Sequence, residues 1–373
     1  MEEGRPTGSV RRDEVRAKLA RVRRFLEQSS IDAVLLSRRN NFAWLTAGGD
    51  NHVVSSAADG PASLLVTQDR VQVIASAIEM PRILAEEVQG LDFDAVTFPW
   101  FENGPEALLD ATAGLRAAAD TSVGAMPVLG LEFARLRFAL LATEVDRYRL
   151  LARQVARIVE TAARALQPGD TEREIAGRLA AQLLAAGMTP AVLLVAGDAR
   201  IARFRHPVPT GLRIARQGML VAVAERGGLH VGLTRIVHFG TLPADLARRH
   251  TAAVAVDAAM AAASVPGARA CDVLRAGVDA YRIHGFETEW HLHHQGGPTG
   301  YAPREYLATP RTTEPLVEHQ PVAWNPSVSG TKSEDTLLVT AEGPEYLTVG
   351  DGWPVVEVRT AAAVHRRPAI LER

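Results

Sequence analysis

The sequence predicts an α+β protein of two domains, and three observations carry that prediction. At 373 residues the chain is longer than one hydrophobic core ordinarily organises, and its 47% hydrophobic content supplies enough apolar side chains for two. The first third alternates short extended runs with short helical ones, the pattern of an α/β unit. Long amphipathic stretches then arrive in pairs, each followed by β-rich runs, as in an α+β unit with a curved antiparallel sheet. The expected division is residues 1–140 and residues 141–373.

Taken in order, residues 11–29 place Val15, Leu19, Val22 and Leu26 at helical spacing among arginines, so the basic run reads as the solvated face of a helix. Residues 31–36 read as a buried strand, 62–67 and 71–75 as two strands joined through Gln68-Asp69-Arg70, and 93–98 as another. Helices are expected over 78–88 and 105–118, and a strand over 126–129. In the second domain 144–166 and 171–186 read as helices punctuated by Pro168-Gly169, and Thr171-Glu-Arg-Glu174 is a capping-box signature for the second. Strands are expected at 191–195, 219–224 and 229–239, the last two forming a hairpin through Gly227-Gly228. Helices over 243–262 and 270–284 follow, then strands at 321–324, 335–340 and 346–349. Helix pair, strands, helix pair, strands suggests an internal pseudo-repeat without a residue-level repeat.

One segment, His291-Leu-His-His-Gln-Gly-Gly-Pro-Thr-Gly300, concentrates three of the chain's 11 histidines beside turn-forming residues, and is the expected centre of the active site. If Trp290 to His293 is extended, His291 and His293 share one face. Arg304 and Tyr301, just downstream, are candidates for holding a substrate, Arg304 through a bidentate grip on a carboxylate. A second segment, Asn40 to Val53, is too rich in amides and glycine for plain core, so Trp44 and His52 are expected to face a ligand.

Composition excludes several classes. A formal charge of −2 gives no electrostatic case for nucleic acid. No apolar run approaches the roughly 18 residues that span a bilayer, and the start Met-Glu-Glu-Gly-Arg-Pro lacks a signal-peptide core, so no membrane residence is expected. With a single cysteine, Cys271, an internal disulfide is impossible, which suits the cytoplasm as the expected location.

Several of these stretches together resemble the creatinase, aminopeptidase P and prolidase family. The resemblance rests on Ile31-Asp-Ala-Val-Leu-Leu36 and Asn41-Phe-Ala-Trp-Leu45 in the first domain. In the second it rests on Thr171 onward, Gly218-Met-Leu-Val-Ala-Val223, Leu233-Thr-Arg-Ile-Val237, Asn325-Pro326 and Ser333-Glu-Asp-Thr-Leu-Leu-Val339. It implies a creatinase-type N-terminal α/β domain followed by a pita-bread catalytic domain, in a homodimer. It also implies that peptidases of the family hold two metals with two Asp, one His and two Glu, because close cations need bridging carboxylates. Here the matching positions are Val221, Gly232, Gly297, Asn325 and Glu334, of which only Glu334 is a ligand, so no metal and no other cofactor is expected.

His206, in Arg203-Phe-Arg-His-Pro-Val-Pro-Thr210, stands where creatinase-like members keep a general acid/base histidine. The resemblance therefore implies metal-independent hydrolysis of a C–N bond in a small amide- or amidine-like substrate. His206, with His293 and His294, would move the proton, and Glu334 would orient it or a water. Asn325, Thr234 and the amides of Gly296 and Gly297 would stabilise the oxyanion. The alternative is a catalytically inactive relative that binds a peptide or protein partner in the old cleft.

Overall fold

The computed structural model describes residues 5–350 and 352–373. Two compact units are present: the first comprises the chain to Arg137 together with Gly227–Leu229, and the second comprises Phe138–Arg226 and His230–Arg373.

In the first unit α1 (Gly8–Ser29) buries Val15, Val22 and Leu26 of the expected stripe, with Leu19 half-buried and Phe25 added. It also buries Arg11, Glu14 and Lys18, so the basic run is not wholly the solvated face expected. A five-stranded sheet follows, built from β1 (Ala33–Arg38), β2 (Asp59–Thr67), β3 (Val71–Ser76), β4 (Asp94–Phe98) and β5 (Ala117–Ala119) in the order β4-β3-β2-β1-β5. β1, β2 and β3 pair antiparallel, whereas β4 and β5 join parallel at the two edges. Helices α2 (Arg39–Leu45) and α3 (Gly104–Ala111) also belong to this unit. The expected helix over 105–118 stops at Ala111, because Ala117–Ala119 pair with Ala33–Leu35 and the ladder overrides alanine's helix propensity. The expected strand over 126–129 shrinks to one bridge, Ala119 to Val128, and the helix expected over 78–88 is a short turn, Met80–Arg82, running into a π-helical stretch, Ile83–Glu87.

The second unit opens with α4 (Ala142–Ala165) and α5 (Glu172–Ala185). The predicted capping box is present: Thr171 Oγ1 accepts from Glu174 N at 3.2 Å while the Glu174 carboxylate accepts from Thr171 N at 2.8 Å. β6 (Thr189–Gly197), the short α6 (Ala199–Arg203), β7 (Gln217–Arg226) and β8 (Leu229–His238) come next, and Gly227 and Gly228 turn the hairpin at φ 58° and 82°, a region glycine enters without a Cβ clash. The helix pair α7 (Ala244–Ala262) and α8 (Ala270–Ile283) precedes a second strand group. This comprises β9 (Gly296–Pro298), β10 (Pro321–Trp324), the hairpin β11 (Ser327–Val328) and β12 (Thr331–Lys332), β13 (Asp335–Leu338) and β14 (Glu345–Tyr346). The chain ends in β15 (Val355–Arg359), β16 (Val364–Pro368) and β17 (Leu371–Glu372). Two four-stranded sheets form among the described residues, β17-β8-β7-β6 and β14-β13-β10-β9, beside the two-stranded pairs β11-β12 and β15-β16, so helix pair then sheet occurs twice, as the order of elements suggested.

Charge is buried here in a paired network, in which Arg367 Nη1 alone of its guanidinium nitrogens keeps no hydrogen-bond partner among the described residues. Arg235, fully enclosed, reaches Glu160 and Asp335, while Arg367 reaches Asp257 and Asp335. These bonds fix β8, β13 and β16 to α4 and α7. His250 on α7 sits beside this network, bonded to Thr331 Oγ1 at 2.7 Å and Pro368 O at 3.0 Å. Burial pushes its pKa down to about 4, against the pull of the Pro368 carbonyl. The folded state therefore keeps it neutral, whereas the unfolded chain takes up a proton below about pH 6.5. Between pH 7 and pH 5 this group should lower unfolding free energy by about 2 kcal/mol. Urea melts at the two pH values should show that loss in the native chain and a correspondingly smaller one in His250→Gln.

Candidate active site

The histidine segment does not run as a strand. Residues Glu289–Leu292 form a 3-10 turn and His293 leaves it extended, at φ −155° and ψ 143°. Alternation of faces therefore does not apply, which corrects the expected pairing of His291 with His293. His291 is exposed and stacks on Trp290 with ring centroids 4.0 Å apart. His293 and His294 instead lie ring to ring at 4.5 Å, and both meet His206, at 4.9 Å and 5.6 Å. His206 Nε2 and His293 Nε2 are 3.1 Å apart, a hydrogen bond between imidazoles.

Neighbouring residues explain why His206 is held there. Its loop is clamped by Arg205, whose guanidinium donates to Ser327 Oγ and Ser329 Oγ, each at 3.1 Å, and pairs with Glu289. Glu289 in turn accepts from Ser329 N at 3.1 Å, so one carboxylate ties the 3-10 turn, the β11–β12 turn and the His206 loop together. Ser327 Oγ also lies 3.4 Å from His293 Nδ1. That oxygen accepts from Arg205 and, through its second lone pair, from His293 Nδ1–H. His293 Nε2 is then the acceptor for His206 Nε2–H, giving a chain His206–His293–Ser327 that leaves the lone pair of the exposed imidazole on Nδ1, free to take a proton.

The electrostatics keep all three rings neutral. Burial is the main cause throughout: it pulls His293 down to about 2, with Lys332 adding to it, and His294 down to about 4, with Arg304 adding to it. His206 is also lowered, by burial and then Lys332, while Glu334 opposes the shift.

Glu334 is 2% exposed and fully engaged. Oε2 accepts from Lys332 Nζ at 2.6 Å and Thr234 Oγ1 at 2.7 Å, and Oε1 accepts from Arg304 Nη2 at 3.3 Å. Its pKa stays below the ordinary value: burial alone would raise it, and Lys332 and Arg304 outweigh that. Arg304 points inward, not to a surface partner, with its Nε buried and unpartnered among the described residues. Asn325, 3% exposed, likewise holds a buried Oδ1 without a hydrogen-bond partner among them.

Other expected positions are corrected by their surroundings. The Thr234 hydroxyl proton is given to Glu334 and so is not available to an oxyanion. Gly296 N donates to His294 Nδ1 at 3.3 Å, and the two glycines are strand β9 instead of an open loop. They are there for backbone packing: a Cβ on Gly296 would fall 2.2 Å from Ala323 O, and one on Gly297 would fall 2.3 Å from Tyr306 O. No side chain fits at residue 297, the position expected to match the family's histidine. Tyr301 is fully buried with its hydroxyl donating to Glu144 Oε1 at 2.6 Å, a structural tie to the start of α4. Trp44 is 1% exposed in the first unit's core, edge-on to Phe133 at 6.3 Å, and does not face solvent; the His52 ring pairs with Asp50 of its own loop. Lys332 and Arg205 were missed, although Lys332-Ser-Glu334 on an extended chain puts Lys and Glu on one face.

Paired helices backing two sheets, with imidazoles and a buried carboxylate gathered in the second unit, make this a pita-bread protein. The chain belongs to Metallopeptidase family M24, whose profile matches residues 146–341. Its structure is similar to an Xaa-Pro dipeptidase from Bacillus anthracis, with 16% identity, a TM-score of 0.76, and 96% of this chain and 100% of that one covered. It is also similar to the prolidase from Pyrococcus horikoshii OT3, at 17% identity and TM-score 0.75, covering 91% and 99%. The N-terminal domain of the FACT complex subunit SPT16 from Cicer arietinum shares the fold at 11% identity and TM-score 0.69, covering 91% and 96%. No curated protein matches the sequence.

The family name implies a metal, and the carboxylate positions do not fit a bridged pair. A Cβ on Gly232 would stand 3.7 Å from Glu334 Oε1, so the position is aimed at that carboxylate yet carries no side chain. The charge of Glu334 is instead met by an ammonium and a guanidinium. Among the described residues no helix is long and apolar enough to cross a membrane.

Proposed function

We propose that this protein hydrolyses a C–N bond, amide or amidine-like, in a small molecule, without metal and by histidine general acid/base catalysis. The observation that carries this reading is the pairing of an exposed neutral His206 with His293 beside a Glu334 whose charge Lys332 and Arg304 already compensate. His206 takes a proton from water as the oxygen attacks the carbonyl-type carbon, then returns it to the leaving nitrogen, while His293 holds the ring in the accepting tautomer. Arg304 offers its unpartnered Nε–H to the developing oxyanion or to a substrate anion, and Asn325 Oδ1 offers an acceptor to a substrate N–H. Glu334 fixes Arg304 and leaves the proton transfer to the imidazoles. The names of the similar structures, Xaa-Pro dipeptidase and prolidase, make short peptides the first substrates to try. A homodimer in the cytoplasm is part of the proposal, and light scattering at the mass of a single chain would remove the dimer from it.

The test is a turnover screen of Xaa-Pro dipeptides and small N-acyl and amidine compounds, with the full chain held in excess EDTA. Cleavage that persists in EDTA supports the reading. Cleavage that appears only after manganese or cobalt is added overturns it, and tight peptide binding without cleavage would assign the cleft to recognition alone.

A further inference from the structure

His206, His293 and His294 each bring one ligating nitrogen to within 4.8 Å of the others. Two imidazole nitrogens on one tetrahedral zinc-class ion, each about 2.0–2.1 Å from it, stand about 3.3–3.4 Å apart. His206 Nε2 and His293 Nε2 are already 3.1 Å apart, so their separation matches that of two ligands to within tenths of an ångström, and binding requires the rings to turn their lone pairs from each other to a shared ion. We propose that these three histidines form a mononuclear site for a divalent transition metal of the zinc class, and that its occupancy switches hydrolysis off.

Nitrogen donors, not the family's carboxylates, define this site, and three imidazoles suit zinc, nickel, cobalt or copper better than magnesium or calcium. A supporting shell is present. Ser327 Oγ lies 3.4 Å from His293 Nδ1 and accepts its N–H when Nε2 turns its lone pair to metal, the outer contact that orients a ligating histidine. Arg205 anchors Ser327 and the His206 backbone alike. His294 Nδ1 accepts only a long 3.3 Å bond from Gly296 N, a contact that a change of tautomer gives up when the ring ligates. Burial keeps His293 and His294 in the neutral form that coordinates.

Two nearby cations set the character of the site. Lys332 and Arg304 act on these rings and oppose a further positive charge, while Glu334 offsets one of them. The ion is therefore held reversibly, and a chelator removes it. A metal on His206 Nε2 leaves that ring's proton on Nδ1, the atom that must accept one, so turnover stops while the substrate pocket around Arg304 and Asn325 stays intact. This inhibitory half rests on the proposed function; the binding half does not.

The experiment titrates the EDTA-treated, dialysed full chain with cobalt(II) chloride, followed by visible d–d absorption, and with zinc chloride by calorimetry. One ion per chain is expected, with affinity at least tenfold weaker in His294→Ala and unchanged in His291→Ala, whose ring lies outside the cluster. His293→Gln provides a second variant, and circular dichroism confirms that each is folded. Equal affinity in native chain, His294→Ala and His293→Gln, or no saturable binding, overturns the site and leaves the proposed hydrolysis standing. Zinc that binds with one-to-one stoichiometry and suppresses peptide or amide cleavage, reversed by EDTA, supports both halves. Zinc that binds and raises cleavage overturns the inhibition and the metal-independent reading together.

Discussion

Replacing His206 with alanine should lower turnover about a hundred- to ten-thousand-fold, the range lost with a single general acid/base, while the protein melts at an unchanged temperature. The expectation of an intact fold follows from exposure: the ring is at the surface, and its hydrogen-bond partner is His293. Arg205 carries the loop's anchoring, through Ser327, Ser329 and Glu289, and it is untouched by the substitution. Added imidazole should restore part of the rate, which a merely structural role would not allow. The pH profile supplies a second readout. As a base His206 works when neutral, and burial followed by Lys332 lowers its pKa, so kcat/KM should fall on acidification only below the ordinary histidine value of 6.5. Removing the Lys332 charge should move that acid limb upward. A variant retaining more than a tenth of native turnover would remove His206 from the chemistry.

How much of this was legible depends on which physical signal each residue leaves in the chain. Helices α4, α5, α7 and α8 follow from apolar spacing, and Thr171 with Glu174 announces the start of α5 because capping is a local event. Ala117–Ala119 leave no such signal, since three alanines say helix and only the partner β1 makes them a strand. The histidine segment was conspicuous, yet which rings converge depended on a 3-10 turn that Glu289 stabilises from outside the segment through Ser329 and Arg205. Trp44 and Tyr301 were misplaced for a related reason: an aromatic among polar neighbours reads as exposed until the elements packed on it are known, here Phe133 for one and Glu144 for the other. Lys332 was readable from its two-residue offset to Glu334 but reads as an ordinary surface lysine in isolation. Its burial emerges only when β12, β8 and the Arg304 loop are assembled.

That lysine gives the largest effect expected on stability. Lys332→Met should cost about 3–5 kcal/mol of unfolding free energy at pH 7, because it leaves a buried carboxylate without its closest cation. Glu334 would keep Thr234 and the longer Arg304 contact, at 2.7 Å and 3.3 Å, which offset only part of the desolvation of a group 2% exposed. Adding Glu334→Gln to Lys332→Met should recover most of the loss, since replacing both members of a buried pair is far cheaper than orphaning one. The sign of the acid response separates the two explanations for any loss. In the native chain Glu334 is held below its ordinary 4.5, so its contribution is present above that pH and disappears on acidification below it. In Lys332→Met the folded pKa rises above the unfolded one, and stability should increase as the pH falls through that raised value, a reversal that lost methylene packing would not produce. Urea titrations of the native chain, the single variant and the double variant at pH 7, 5 and 4 decide it. A single-variant cost below about 1 kcal/mol, the scale of an exposed pair, would mean that Lys332 does not carry the compensation assigned to it.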